Sequence, residues 1–422
     1  MIYTPSLTRN KNSNDGSIMS KIMDFKQEMQ SHEDANLNVY KKHPTVTACD
    51  RKVVIYNRFS KKEEIKISFG SNSYLGASNW KRAKKEASEV LLRYGIGTGS
   101  VPLLTGTTTY QNELESCISK FTHFQDTILF SSGYTANLGV ISGLMRPNNL
   151  IIHDKLNHAS LIDGTILSGA NMLRYRHNDM ADLERLLEAN YAKYPNGIIV
   201  ATDGVFSMDG DIAKIPEILG LVKKYNAILL IDEAHAIGVI GKNGAGSLSH
   251  YGIDERENII QTGTLSKAIG TVGGYISASQ DIINYLRIYS RSNMFSTSLP
   301  PSVCASAIEV LKEMQETDIV MQLQTNAEYM RMLLKNKGFN ILQSETPIIP
   351  LIVGNSELLT TLVNDAFNAG FLVNAIYPPA VPPKLTRFRI SVMATHTKED
   401  IDSFVDTLSR LFSQYEQKTF IE

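Results

Sequence analysis

The chain has 422 residues, 43% of them hydrophobic, with 42 Lys and Arg against 43 Asp and Glu and a formal net charge of −1. That length and apolar content allow a large core in one or two domains, and the balanced charge excludes a nucleic acid or anionic membrane held by broad electrostatics. Three dispersed cysteines, Cys49, Cys117 and Cys304, match neither a disulfide framework nor zinc-ligand spacing, which predicts a reducing, cytoplasmic setting.

The N-terminal MIYTPSLTRNKNSNDGSIM lacks the charged-then-apolar order of a signal peptide and predicts a flexible extension. No run approaches the roughly 18 apolar residues of a spanning helix. Residues 19–36 space apolar side chains as an amphipathic helix does, and VVIYN and EIKISFGS read as short strands around a charged hairpin end. Further on, short runs rich in Ile, Leu and Val alternate with helical patterns: DTILFSS, NLIIHD, GIIVATDGVFS and AILLIDEAHAIG. Such runs predict strands buried on both faces of a mostly parallel sheet. The pattern changes at Leu299-Pro300-Pro301, where a long helical stretch begins. TPIIPLIVG, FLVNAIY and TRFRISVM follow, and a last helix starts near Lys398. The expected organisation is an extension with a helix and short strands over 1–75, a large α/β domain over 76–300 and a smaller α+β domain over 301–422.

Asp232 follows four apolar residues, at the carboxyl end of a buried strand, where open α/β sheets place ligands. The string Asp-Glu-Ala-His also occurs in nucleotide-driven motors, but these need a G-x-x-x-x-G-K-[ST] phosphate loop, and the chain has none. A capping Asp followed by a polar His235 is the plain structural alternative. Lys267 then sits in GTLSKAIGTVGG, beside Thr264 and Ser266. A lysine that holds pyridoxal phosphate is paired with a carboxylate that keeps the pyridine nitrogen protonated, and Lys267 with Asp232 suits that chemistry. In ILFSSGYTANLG a strand, a tight turn at Gly133 and a helix start offer N–H groups that attract a phosphate, although many α/β proteins contain such a turn without a ligand. LNHASLIDG puts His158 after another strand, where its ring can stack on a pyridine face. His153 and His158 as metal ligands would lack a third partner nearby.

In these residues the sequence resembles the α-oxoamine synthases, a group within the fold type I pyridoxal-phosphate enzymes. The resemblance runs from about Met19 onward through FGSNSYLG, FSSGYTAN, NHASLIDG, DGVFSMDGDIA, IDEAHAIGVIGKNGAG, GTLSKAIGTVGGY, FSTSLPPS and RFRISVMATHT. It implies the fold type I transferase fold: α/β, with a mostly parallel central sheet in a large domain and a smaller α+β C-terminal domain. It also implies pyridoxal 5'-phosphate as cofactor, an amino acid and an acyl-CoA as substrates, and a homodimer with sites at the subunit interface. In that pattern Lys267 holds the cofactor and moves protons at the substrate Cα. Asp232 faces the pyridine nitrogen, His235 bonds the ring oxygen with help from Ser207, and His158 stacks on the ring. Gly133 and Tyr134 offer backbone donors to the phosphate, with Thr264 and Ser266, while Ser296 and Thr297 reach it from a second subunit. Arg389 holds the substrate carboxylate, with Asn72 near it.

The chain departs from the family pattern at four positions. Val101 and Pro102 stand where an arginine is expected after the GTG turn, and Gln111 replaces a usual histidine. These three bear on acyl-chain or coenzyme A recognition. Tyr377 stands where some serine-using members carry an arginine. SLPPSV, NAIYPPAVP and RFRISVMATHTKEDID are most similar to bacterial serine palmitoyltransferases. They imply L-serine condensed with palmitoyl-CoA to give 3-ketodihydrosphingosine, CoA and CO2, with peripheral membrane contact during lipid pickup. The 8-amino-7-oxononanoate synthases and glycine C-acetyltransferases share almost every motif and stand as alternatives. A noncatalytic partner subunit is the alternative of a different class, and the presence of Lys267, Asp232 and His158 counts against it.

Overall fold

The computed structural model describes residues 17–34 and 43–419; most of the expected flexible extension lies outside them. The chain forms two compact units. The smaller comprises the described residues up to Asn72, Met208–Gly210 and the chain from Thr325 onward; the larger comprises Ser73–Ser207 and Asp211–Gln324.

The smaller unit opens with a helix over Ile18–Asp34 and a hairpin of β1 (Lys52–Asn57) and β2 (Lys62–Ser68).

In the larger unit seven strands form one sheet: β3 (Asp126–Phe130), β4 (Leu150–Asp154), β5 (Asn171–Tyr175), β6 (Ile198–Asp203), β7 (Ile228–Asp232), β8 (Ile259–Thr264) and β9 (Gly274–Ala278). Their order is β3-β9-β8-β7-β6-β4-β5. Only β9 runs against its neighbours, so the carboxyl ends of the other six share one edge. Successive residues of each strand feed opposite faces. Leu150, Ile152, Ile198, Val200, Leu229 and Ile231 pack one core with the helices Met180–Asn190 and Ile215–Lys224. Ile151, Ile199, Ala201, Leu230, Ile260 and Ile276 pack the other with the helices Gly133–Leu144, Ala159–Ser168 and Gln280–Tyr289. Truncating a fully buried residue such as Leu230 to alanine costs about 2–5 kcal/mol.

In the smaller unit β10 (Ile348–Ile352), β12 (Asn374–Ile376) and β13 (Arg387–Ser391) pair in the order β10-β13-β12, all antiparallel, and β11 (Phe371–Leu372) pairs parallel to β2. The helices Ser356–Asn368 and Lys398–Thr419 cover a core in which Phe69 stacks on Phe404 at 4.3 Å.

Two expected boundaries shift. The segment placed with the N-terminal extension joins the C-terminal unit, because Ile67 and Ser68 of β2 pair with Phe371 and Leu372. The helix Pro301–Glu316 belongs to the larger unit, where its buried Cys304, Ala305, Ile308 and Leu311 form an apolar stripe against the helices Lys81–Tyr94 and Thr109–Thr122. Pro300-Pro301 starts a helix there without starting a domain. Among the described residues no helix is long and apolar enough to cross a membrane.

Candidate active site

At the carboxyl edge of the seven-stranded sheet lies a cavity of about 200 Å³, and Gly133, Tyr134, His158, Asp232, His235, Thr264, Ser266 and Lys267 are all in its lining. Each arrives from the end of a strand or the turn beyond it. Gly133 and Tyr134 follow β3, His158 follows β4, Asp232 ends β7, Thr264 ends β8, and Lys267 lies in the β8–β9 connection. This edge is where a doubly wound sheet opens a crevice.

The helix Gly133–Leu144 starts with a capping box: Ser132 Oγ accepts from Thr135 N–H at 3.1 Å, and Thr135 Oγ1 accepts from Ser132 N–H at 3.0 Å. The box fixes the helix end, whose first N–H groups, those of Gly133 and Tyr134, have no acceptor within the helix. Beside them Thr264 Oγ1 and Ser266 Oγ are hydrogen-bonded at 2.8 Å. A Cβ on Gly133 would come within 2.9 Å of Thr264 Cβ, and one on Gly274 would collide with the backbone of Ser132 and Gly133. Bare backbone at both positions lets the helix end meet the sheet, making a cradle of N–H and hydroxyl donors suited to a phosphate.

Asp232 is buried and accepts from Asn137 Nδ2 at 2.6 Å and from Ala234 N–H at 2.9 Å, an arrangement that suits a carboxylate. On the adjacent strand Asp203 pairs in register with Asp232 and accepts from His158 N–H at 3.2 Å. Burial, and then the neighbouring Asp232 charge, push the Asp203 carboxyl well above the usual range. His235 is buried and its Nδ1 lies 2.8 Å from the Tyr74 hydroxyl. His158 is exposed at the cavity, but its Nδ1 edge is enclosed by Ser160 Oγ at 2.7 Å. Packing around the ring holds its pKa below the usual imidazole value.

The other expected residues lie elsewhere. Ser207, in the turn after β6, is half-buried and not in the cavity lining. Ser296 and Thr297 line a separate narrow crevice together with Pro102 and Gln111, so two of the departures from the family pattern meet there. Arg389 lies on β13 of the smaller unit, buried, donating to Asn72 Oδ1 at 2.9 Å and Ser391 Oγ at 3.0 Å. His153 is buried with both ring nitrogens engaged, by Thr165 at 2.9 Å and Asn157 at 3.2 Å. The sequence reading missed Asn137, Ser160, Asp203, Thr262 and Tyr74. Asn137 shares the buried face of its helix with Ala136, Val140 and Ile141, and a polar residue in that apolar spacing was the available signal.

These residues fit pyridoxal phosphate: an amine at Lys267, a buried carboxylate at Asp232, and a phosphate cradle at the Gly133 turn. The comparisons agree. A family model described as aminotransferase class I and II matches residues 64–408. The 8-amino-7-oxononanoate synthase of Thermoanaerobacter pseudethanolicus is 44% identical over 349 residues, covering 82% of this chain and 88% of that protein. The solved Sphingomonas wittichii serine palmitoyltransferase aligns with a TM-score of 0.87 at 28% identity, covering 94% of this chain and 98% of that one. Another serine palmitoyltransferase structure, with a TM-score of 0.86 at 29% identity and the same coverage, contains pyridoxal phosphate. Fold and site thus define a fold type I, pyridoxal-phosphate-dependent transferase of aminotransferase class I and II. Within that class the chain belongs to the α-oxoamine synthases and is an acyltransferase of that family.

Proposed function

We propose that the chain condenses L-alanine with a pimeloyl thioester, pimeloyl-CoA, to give 8-amino-7-oxononanoate, CoA and CO2. The name of the 44%-identical relative supports this choice over the serine reading. The product's skeleton is a pimeloyl chain joined to the Cα of alanine less its carboxyl group. Tyr377 adds support: its hydroxyl lies 2.9 Å from Thr360 Oγ1 and brings no positive charge where some serine-using members carry arginine.

One observation carries the reaction class: Lys267, Asp232 and the Gly133 helix end line the same cavity. When bound, pyridoxal phosphate supplies an electron-withdrawing ring that accepts the charge left at the substrate Cα. Lys267 holds the cofactor, then takes and returns the Cα proton. Asp232 would meet the ring nitrogen, His235 the ring oxygen, and His158 one ring face; the family pattern adds Ser207 to His235, although it lies outside the cavity lining. Gly133, Tyr134, Thr264 and Ser266 bind the phosphate. Ser296 and Thr297 of a second subunit complete that site in a cytoplasmic homodimer.

A second reading, L-serine with palmitoyl-CoA, draws on the structural likeness to serine palmitoyltransferase. The test is thiol release from paired amino acids and acyl-CoAs, with cofactor absorbance followed in parallel. L-Alanine with pimeloyl-CoA is expected to turn over, and Lys267→Ala to lower that rate on the order of 10³-fold. Turnover of serine with palmitoyl-CoA alone would transfer the assignment to the second reading. No thiol release from any pair would overturn the reaction class.

A further inference from the structure

Five polar side chains, all buried except His158, form one branched network of hydrogen bonds, and four of them line the cavity. It starts at Asp232, whose carboxylate accepts from Asn137 Nδ2 at 2.6 Å. That fixes the Asn137 amide, so its Oδ1 takes the Thr262 hydroxyl proton at 2.7 Å. The second Asn137 N–H goes to Ser160 Oγ at 2.8 Å. Ser160 Oγ, which can both accept and donate, lies 2.7 Å from His158 Nδ1, and the ring sets the direction of that bond. The Ser160 backbone N–H also points at Nδ1, at 3.3 Å. An N–H can only donate, so Nδ1 carries the ring's lone pair, which the Ser160 hydroxyl shares, and the ring proton resides on Nε2.

We propose that Asn137 and Ser160 are positioning residues that tie the Asp232 carboxylate to His158 and fix the imidazole as the neutral tautomer, with its proton on Nε2. This deepens the reading in which His158 covers the bound cofactor. In that state the Nδ1 lone pair is engaged, and His158 presents its Nε2–H as a hydrogen-bond donor. Proton removal at the substrate Cα is thereby left to Lys267. Asp203 anchors the same histidine by its backbone N–H, so the ring is held both through its own edge and through the chain. The order of the relay also means that a change at Asp232 is felt at His158 through two intervening side chains.

The test is a long-range proton–nitrogen correlation spectrum of 15N-histidine-labelled holoenzyme and apoprotein, with His158 assigned from a His158→Asn sample. A protonated Nε2 with a bare, hydrogen-bonded Nδ1 is expected in both forms; a proton on Nδ1, or on both nitrogens, overturns the proposal. Asn137→Ala is then expected to shift the His158 Nδ1 signal, displace the cofactor absorbance band and weaken cofactor binding roughly tenfold, the scale of one lost buried hydrogen bond. Where that variant does not fold, Thr262→Val removes the donor to Asn137 with little change of shape and is expected to move the same nitrogen signal by less. Unchanged His158 nitrogens in the folded variant sink the relay, because a merely structural asparagine would not set them. The apoprotein spectrum separates the two readings. Failure to load cofactor at Lys267 strikes the functional assignment alone, while a wrong tautomer strikes the relay alone.

Discussion

Two histidines at the carboxyl edge of the larger unit's sheet, His158 beyond β4 and His177 beyond the adjacent β5, are in opposite charge states. His158 is met at Nδ1 by a hydroxyl and an N–H, and its pKa is depressed. His177 lies between two carboxylates, with Nδ1 3.0 Å from Asp154 and Nε2 2.8 Å from Asp211. Burial works against its charge, but the bonds to those carboxylates outweigh it and raise the pKa to about 10. Asn178 donates to the same two acids, at 2.9 Å from its backbone N–H to Asp154 and 2.9 Å from its side chain to Asp211. One imidazole serves as a neutral donor beside a cofactor pocket. The other is a cation that fastens the turn carrying Asp211. Partners, and not residue type, decide which is which.

The contrast can be broken from either side. The largest effect is expected at the neutral end: Asp232→Asn takes away the charge that the pocket is built around and should lower kcat by about 10²–10³-fold. Its stability should also fall by about 1–2 kcal/mol in urea, since the amide has one acceptor oxygen for the two donors that met the carboxylate, Asn137 Nδ2 and Ala234 N–H. At the charged end, His177→Leu strands two acids without their cation and should cost about 3 kcal/mol by urea denaturation at pH 7, with a smaller effect on turnover. The same variant tests the sign of the pH dependence. The folded-state pKa of His177 lies above its unfolded value, so its stabilising contribution is complete below about pH 6.5 and is lost as pH rises toward 10. Wild type should therefore lose roughly 3–4 kcal/mol more than His177→Leu between pH 7 and 10. Equal losses in the two proteins would mean that His177 is neutral. The smallest expected change is Phe206→Leu, which removes a ring set at 86° to His177 with centroids 4.5 Å apart and should cost about 1 kcal/mol.

Much of the site was legible because its key residues end apolar runs or sit in compact motifs. Asp232 closes ILLID, and Lys267 follows the hydroxyls of Thr264 and Ser266. The relay was not legible, since Asn137, Ser160, Thr262 and Asp232 come from four separate elements and meet only when the sheet forms. β5 escaped for another reason: NMLRY is an edge strand with mostly exposed residues and lacks the apolar run that announces a buried one. The antiparallel β9 was hidden because the glycines around it read as a turn. The place of β1 and β2 was equally unreadable, since their partner β11 is only two residues long and lies some three hundred positions later.

The glycine contact between the β9 strand and the Gly133 turn has a further consequence. With no side chain acting as a spacer, the anion cradle and the sheet are one rigid part, and the cradle cannot be adjusted by swapping a residue at the seam. Re-engineering this enzyme toward a bulkier cofactor analogue would thus have to start elsewhere in the lining, at Val205 or Ala234, where side chains are available to exchange.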